Sequence, residues 1–215
     1  MNYKCIIFDC DGVLVDSLPL SDKVMLELIR PYGISDVFEK IISNYNGGSL
    51  QASLDKIEEL IGQKLPDNFV EQYRKLTYET FKKELLPVSG VNEFLKKITV
   101  PMCVASSGPR TKIIENLKTT NLLHYFGDNI VSSYEIQSWK PEPEIFLYAA
   151  NKMGFKPNEC VVIEDSLDGI NAALKGGFNI IGLATDSTFS EMELTEAKVF
   201  KSIVEIEQFL LEEQR

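Results

Sequence analysis

Basic residues are in short supply in this chain of 215: 22 Lys and Arg stand against 32 Asp and Glu, a formal charge of -10. A field of that sign repels nucleic acid and steers no anion, so an anionic substrate has to be met by local cations. Histidine is reduced to one, His124, which follows Leu122-Leu123 and reads as a packing or helix-end residue rather than a catalytic one. The four cysteines include no CxxC pair, which leaves no such site for zinc; Cys5, Cys103 and Cys160 lie inside short apolar runs and read as buried thiols, with no disulfide implied. Long apolar runs are missing too. No stretch of about 18 apolar residues occurs and no charged segment leads into a shorter one, so neither a membrane span nor a secretory leader is expected, and the default address is cytoplasmic. No residue pattern sets an oligomeric state, and a monomer is compatible with all of them.

What is present is enough apolar content, 44%, to bury a sizeable core. Short β-rich runs at Cys5–Phe8, 102–105, 161–163 and Asn179–Leu183 each end near small or acidic residues, as buried parallel strands do. Helical spacing fills the gaps: Ile113, Ile114 and Leu117 after Gly108-Pro109, then Ile145, Phe146, Ala149 and Ala150 after Pro143. A third set, Leu167, Ile170, Ala173 and Leu174, stops at Gly176-Gly177, a pair suited to the left-handed turn that ends a helix. This alternation predicts an α/β fold, a Rossmann-like parallel sheet with right-handed crossovers.

Residues 17–86 break the rhythm. Val24 and Leu28, then Leu54, Ile57, Leu60 and Ile61, then Phe69, Tyr73 and Leu76 keep helical spacing without a convincing strand. This predicts an inserted helical cap domain over 17–86 and a core domain made of 1–16 and 87–215. The insert leaves after the first strand and returns at Pro87-Val88-Ser89-Gly90, so both connections pass the carboxyl end of that strand, the edge where such sheets bind ligands. Inside it, Gly47-Gly48 reads equally as a plain turn or as a cap loop able to come close to the site.

Four strand ends carry the chemistry. The first reads Phe8-Asp9-Cys10-Asp11-Gly12, two carboxylates one residue apart; it is either a DG turn or a nucleophile and metal ligand, Asp9, beside a proton donor, Asp11. Cys10 between them reads as turned away. The second is Ser106-Ser107-Gly108, either a helix cap or a hydroxyl with backbone amides for phosphate oxygens. In Trp139-Lys140-Pro141-Glu142-Pro143 two prolines stiffen the chain around one lysine, which is either solvated or an ammonium mounted to balance charge, and in the second case matters to catalysis far more than to stability. The last, Glu164-Asp165-Ser166, either caps the next helix or offers oxygen ligands to Mg²⁺. Four independent bland readings in one sheet are a poor account of the set.

In order, DxDG, a hydroxyl after an apolar strand, K-P-x-P and E-D-S resemble the motifs of the haloacid dehalogenase superfamily, over nearly the whole chain and including the place of the helical cap. The resemblance implies a Mg²⁺-dependent phosphatase acting on a small soluble phosphomonoester through an aspartyl-phosphate. Asp9 would be the nucleophile and Asp11 the general acid/base; Ser106, Ser107, Gly108 and Lys140 would hold the phosphoryl group, and Asp9, Asp11, Glu164 and Asp165 the metal. Stretches such as Ser107-Gly108-Pro109, Leu123-His124-Tyr125-Phe126, Tyr134-Glu135-Ile136-Gln137 and Trp139-Lys140-Pro141 are similar to a 6-phosphogluconate phosphatase branch, which implies a sugar or sugar-acid phosphate. Asp11 speaks against a dehalogenase, and the full set of acids against a non-catalytic binding protein. The serious rival is a phosphomutase like the β-phosphoglucomutases, which carry a histidine where this chain has Ser21 and a cap arginine; here the stretch 47–54 holds no arginine or lysine.

Overall fold

The computed structural model describes residues 3–33 and 50–213. Six parallel strands form one sheet in the order β3-β2-β1-β4-β5-β6: β1 Cys5–Phe8, β2 Met102–Ser106, β3 Ile130–Ser132, β4 Cys160–Glu164, β5 Asn179–Leu183 and β6 Lys198–Phe200. The four runs read from sequence are the four longest strands. The two outermost, β3 and β6, hold three residues each, too few for apolar periodicity to announce them.

Alternation along β1 shows why the sheet is buried on both faces. Ile6 and Phe8 pack into one apolar layer with Phe94 and Leu95 of α4 (Val91–Lys97), Ile113 and Leu117 of α5 (Arg110–Thr119) and Ile206 and Leu210 of α11 (Ile203–Glu213). Cys5 and Ile7 face the opposite layer, with Ile145 and Phe146 of α8 (Glu144–Met153) and Ile170 of α9 (Leu167–Lys175). A sheet covered by helices on both sides leaves its strands continuously apolar, as these are. Helix α9 does end at the expected glycines, but Gly176 is right-handed (φ -78°) and Gly177 is the left-handed residue (φ +75°).

Among the described residues three helices lie outside this sandwich: α1 Leu18–Ile29, α2 Leu50–Ile61 and α3 Phe69–Glu84. Met25, Ile29, Leu54, Ile57 and Phe69 make a separate apolar cluster among them. At the far end of α3, Phe81 joins the core layer. The two connections to the sheet run side by side. Asp16 N donates to Leu86 O (2.9 Å), Val88 N donates to Leu14 O (3.0 Å), and Val15 and Pro87 form an antiparallel bridge. Gly47 and Gly48 lie outside the described residues.

Candidate active site

Chain order sends β2 and β3 to one side of β1 and β4, β5 and β6 to the other, so the carboxyl ends of β1 and β4 flank the point where the winding reverses. A crevice opens there in such sheets. In this chain it is a cavity of about 480 Å³ lined by Asp9, Asp11, Ser106, Ser107, Gly108, Lys140, Glu164 and Asp165 from the sheet side, and by residues of α1, α2 and α3 from the other. All the core residues singled out from the sequence line it.

Asp9 follows β1 directly and is nearly buried. Its Oδ1 accepts a short hydrogen bond from Lys140 Nζ, and the same ammonium donates to Glu164 Oε1. Burial works against charge on Lys140, but Asp9 and Glu164 outweigh it and raise its pKa, so the lysine is a fixed cation. Asp9 itself is pushed up by burial, against the pull of Lys140. One ammonium between two carboxylates leaves a net negative charge.

Glu164 has a different place from the one expected of a metal ligand. Its Oε2 accepts from the backbone N of Asp165 (2.9 Å), the backbone N of Ser166 (2.8 Å) and Ser166 Oγ (2.9 Å), while Oε1 meets Lys140. A carboxylate so engaged, 1% exposed, is a seat for the lysine. Gly169 makes that seat possible, because a Cβ there would stand 1.9 Å from Glu164 Cδ. Ser166 also caps α9, accepting from Gly169 N at 3.1 Å, so the bland reading of that serine holds alongside the site.

Asp11 is likewise engaged. Lys112 Nζ donates to Oδ2 (2.8 Å) and Ser17 Oγ to Oδ1 (2.6 Å), with Asn116 Nδ2 at the long distance of 3.5 Å from Oδ1. Burial opposes ionisation of Asp11, yet Lys112 and Ser17 prevail and hold its pKa below the usual carboxylate value; Lys112 in turn is raised to about 12 against its own burial. Sequence reasoning missed Lys112, Asn116 and Ser17. Lys112 and Asn116 stand one turn apart on α5, and the available signal was two polar residues interleaved with the buried Ile113 and Leu117.

Asp9 and Asp165 therefore remain as acids without an engaged side chain on every oxygen. Asp165 is pushed well up by burial and by the charges of Glu164 and Asp9, and its Oδ2 lies so close to Gly12 (φ +85°) that a Cβ there would come within 2.0 Å. Among the described residues no three His, Cys, Asp or Glu side chains converge to hold a metal ion. Two buried carboxyl groups whose ionised forms are disfavoured until further positive charge arrives fit Mg²⁺, which takes one or two protein carboxylates and keeps several waters. Ser106, 1% exposed, accepts from Gly108 N at 3.2 Å, and the neighbouring Ser107 Oγ is buried without a partner. A Cβ on Gly108 would lie 4.0 Å from Asp11 Oδ2, so this turn sits against the acid pair. His124 is exposed, stacks on Tyr125 with centroids 4.0 Å apart, and does not line the cavity. Cys10 is fully buried. No described helix is long and apolar enough to cross a membrane.

A family model described as haloacid dehalogenase-like hydrolase matches residues 6–183. A 6-phosphogluconate phosphatase of Escherichia coli (strain K12) is 32% identical over 184 residues, covering 85% of this chain and 83% of that protein. A phosphorylated carbohydrates phosphatase of Thermotoga maritima is 30% identical over 184 residues, 83% of each. Among solved structures, a haloacid dehalogenase-like protein of unknown function from Agrobacterium tumefaciens matches with a TM-score of 0.87 at 27% identity, over 99% of this chain and 100% of that one.

Proposed function

The chain belongs to the haloacid dehalogenase-like hydrolases, and on that premise we propose that it hydrolyses a small phosphomonoester, a sugar or sugar-acid phosphate, through a phosphorylated Asp9. The observation that carries this reading is the buried arrangement of Lys140 between Asp9 and Glu164, with Asp11 held apart on Lys112 and Ser17 at the same cavity. The 6-phosphogluconate phosphatase and carbohydrate phosphatase names of two relatives support the substrate class.

In the first half-reaction the Asp9 carboxylate attacks phosphorus in line, a P–O bond to Asp9 forms, and the bond to the leaving oxygen breaks. Asp11 supplies that oxygen with a proton. In the second half, water loses a proton to Asp11 and attacks the same phosphorus, releasing phosphate and restoring Asp9. The Lys112 contact stabilises the carboxylate form of Asp11, the form that accepts a proton from water; the proton gained in that second half is the one given to the leaving oxygen in the next turnover. Lys140 balances charge on the nucleophile and on the phosphoryl oxygens, and Ser106, Ser107 and the Gly108 turn hold those oxygens. Asp9 and Asp165 would hold Mg²⁺, which when bound supplies positive charge to the phosphoryl group. Helices α1, α2 and α3 act as the cap that excludes bulk water.

Phosphate release from a panel of sugar, sugar-acid and nucleotide monophosphates with Mg²⁺ tests the reaction and the substrate together. The wild type should release phosphate, chelation should stop it, and Asp9→Asn should neither turn over nor trap a beryllofluoride adduct. Turnover by Asp9→Asn comparable with wild type would end the reading. Following β-glucose 1-phosphate and glucose 6-phosphate in the same tube, with a bisphosphate primer, addresses the mutase; isomerisation faster than phosphate release would favour it.

A further inference from the structure

The stretch 47–54 offers no cation, but α3 does. Among the described residues three cations line the cavity: Lys140, Lys112 and Arg74. Lys140 is engaged by Asp9 and Glu164, and Lys112 by Asp11. Arg74, on α3, instead meets an uncharged phenol: Nη2 donates to Tyr134 Oη at 3.2 Å, and the guanidinium lies 6.0 Å from the centre of the Tyr134 ring. Tyr134 belongs to the sheet side, on α7 (Ser133–Ile136), and packs edge-on against Trp139 with centroids 5.4 Å apart. Trp139 directly precedes Lys140. A short series of contacts thus fixes a cap cation relative to the lysine at the phosphoryl site.

The remaining cavity acids are accounted for differently. Glu115 pairs with Lys118 at 2.9 Å. Asp22, on α1, carries no counter-cation in the ion pairs of the described residues and, with Ser21 beside it, offers an acceptor for hydroxyl groups. A guanidinium has five N–H donors in a fixed fork, of which Tyr134 takes one, so a planar two-oxygen anion can still be met in bidentate fashion. A cavity of about 480 Å³ admits a ligand of several carbons.

The geometry points to Arg74 as a specificity-determining residue that binds a carboxylate at the end of the substrate remote from the phosphate, so that the preferred substrate is a phosphorylated polyhydroxy acid rather than a neutral sugar phosphate. This rests on the hydrolase reading and narrows it. In a chain of net charge -10, a second negative group on the ligand is best received within the cavity by a cation without a carboxylate of its own, and among the described residues that line it Arg74 meets that condition. Its role is binding, with the bond-making left to Asp9 and Asp11.

The test compares a 6-phospho-aldonate with the alditol 6-phosphate of the same carbon chain, which differ only in a carboxylate against a hydroxymethyl group, in wild type, Arg74→Gln and Arg74→Lys. Wild type should favour the aldonate in kcat/KM, and Arg74→Gln should reduce that preference by roughly 10- to 100-fold, the scale of a charge-assisted hydrogen bond, chiefly through KM. Arg74→Lys should keep part of it, since charge remains and the fork is lost. An unchanged preference in Arg74→Gln overturns the proposal. So does an equal loss on both substrates, which would make Arg74 a strut between cap and core, and so does a wild type that prefers the alditol. If wild type releases phosphate from neither substrate nor from p-nitrophenyl phosphate, the hydrolase reading itself fails and this proposal with it. Thermal melting of each variant separates loss of fold from loss of binding.

Discussion

Lys140 is 2% exposed in its side chain and stands between two carboxylates exposed 9% and 1%. The sequence reading gives this lysine weight in catalysis far above its weight in stability; the burial gives it both. Removing one member of a buried ionic group leaves the others without compensation, at a cost of about 3–5 kcal/mol. Lys140→Met is therefore expected to lower unfolding free energy by about that amount in urea titration and to abolish turnover. Adding Glu164→Leu to it should recover part of the stability and none of the activity. Equal stability of Lys140→Met and wild type would place the lysine outside the buried ionic group. Asp9, Asp11 and Lys140 were legible because each follows a strand or precedes a proline at a fixed step. Lys112 was not, since it meets Asp11 across 101 positions, a pairing made by the packing of α5 against the sheet and by no local pattern.

Helix α9 shows how an element carries the site without touching substrate. Its N-terminal turn receives Glu164 through Ser166 and through the missing side chain of Gly169. Gly169→Ala would force the carboxylate from its seat, and overpacking of this kind costs about 1–3 kcal/mol. The expected melting temperature falls by roughly 3–10 °C for a chain of this size, with a loss of kcat that exceeds the loss of stability because Lys140 moves with its seat. A Gly169→Ala protein with wild-type kcat would show that Glu164 does not position the lysine. At this scale the sequence was informative for long elements. Strands β1 and β5 were read to the residue, whereas β3 and β6 were invisible because three residues hold barely more than one alternation of faces, too few to separate a strand from chance. Helices α1, α2 and α3 were legible as helices, but which of their residues reach the cavity depends on how α1 and α3 cross, and Arg74 went unnoticed for that reason.

The whole molecule approaches its substrate with ten excess negative charges. Those charges act over the screening length, about 30 Å at 0.01 M ionic strength and about 8 Å at 0.15 M, while contacts inside the cavity are screened far less. Raising ionic strength across that range should lower KM for a dianionic substrate by a few-fold and leave kcat nearly unchanged. A KM that rises with salt would mean that Lys112, Lys140 and Arg74 dominate the field well beyond the cavity. Composition disclosed the charge of the whole; the setting of Lys112, Lys140 and Arg74 around one crevice became visible only in three dimensions.

The ribbon formed by 14–16 and 86–88 has a consequence for how this chain can change over time. Because Asp16 and Leu86 are joined by a backbone hydrogen bond, the chain leaves and re-enters the sheet as it would at a tight turn, and closing so long an excursion adds only slowly to the entropy cost as its length grows. Changes of length or surface in the middle of that stretch, away from Ser17 and Phe81, which touch Asp11 and the core layer, should leave the sheet's register as it is. On the proposed reading, reaction and selectivity can therefore vary separately, one set at the strand ends and the other in a passage joined to the sheet at a single short ribbon.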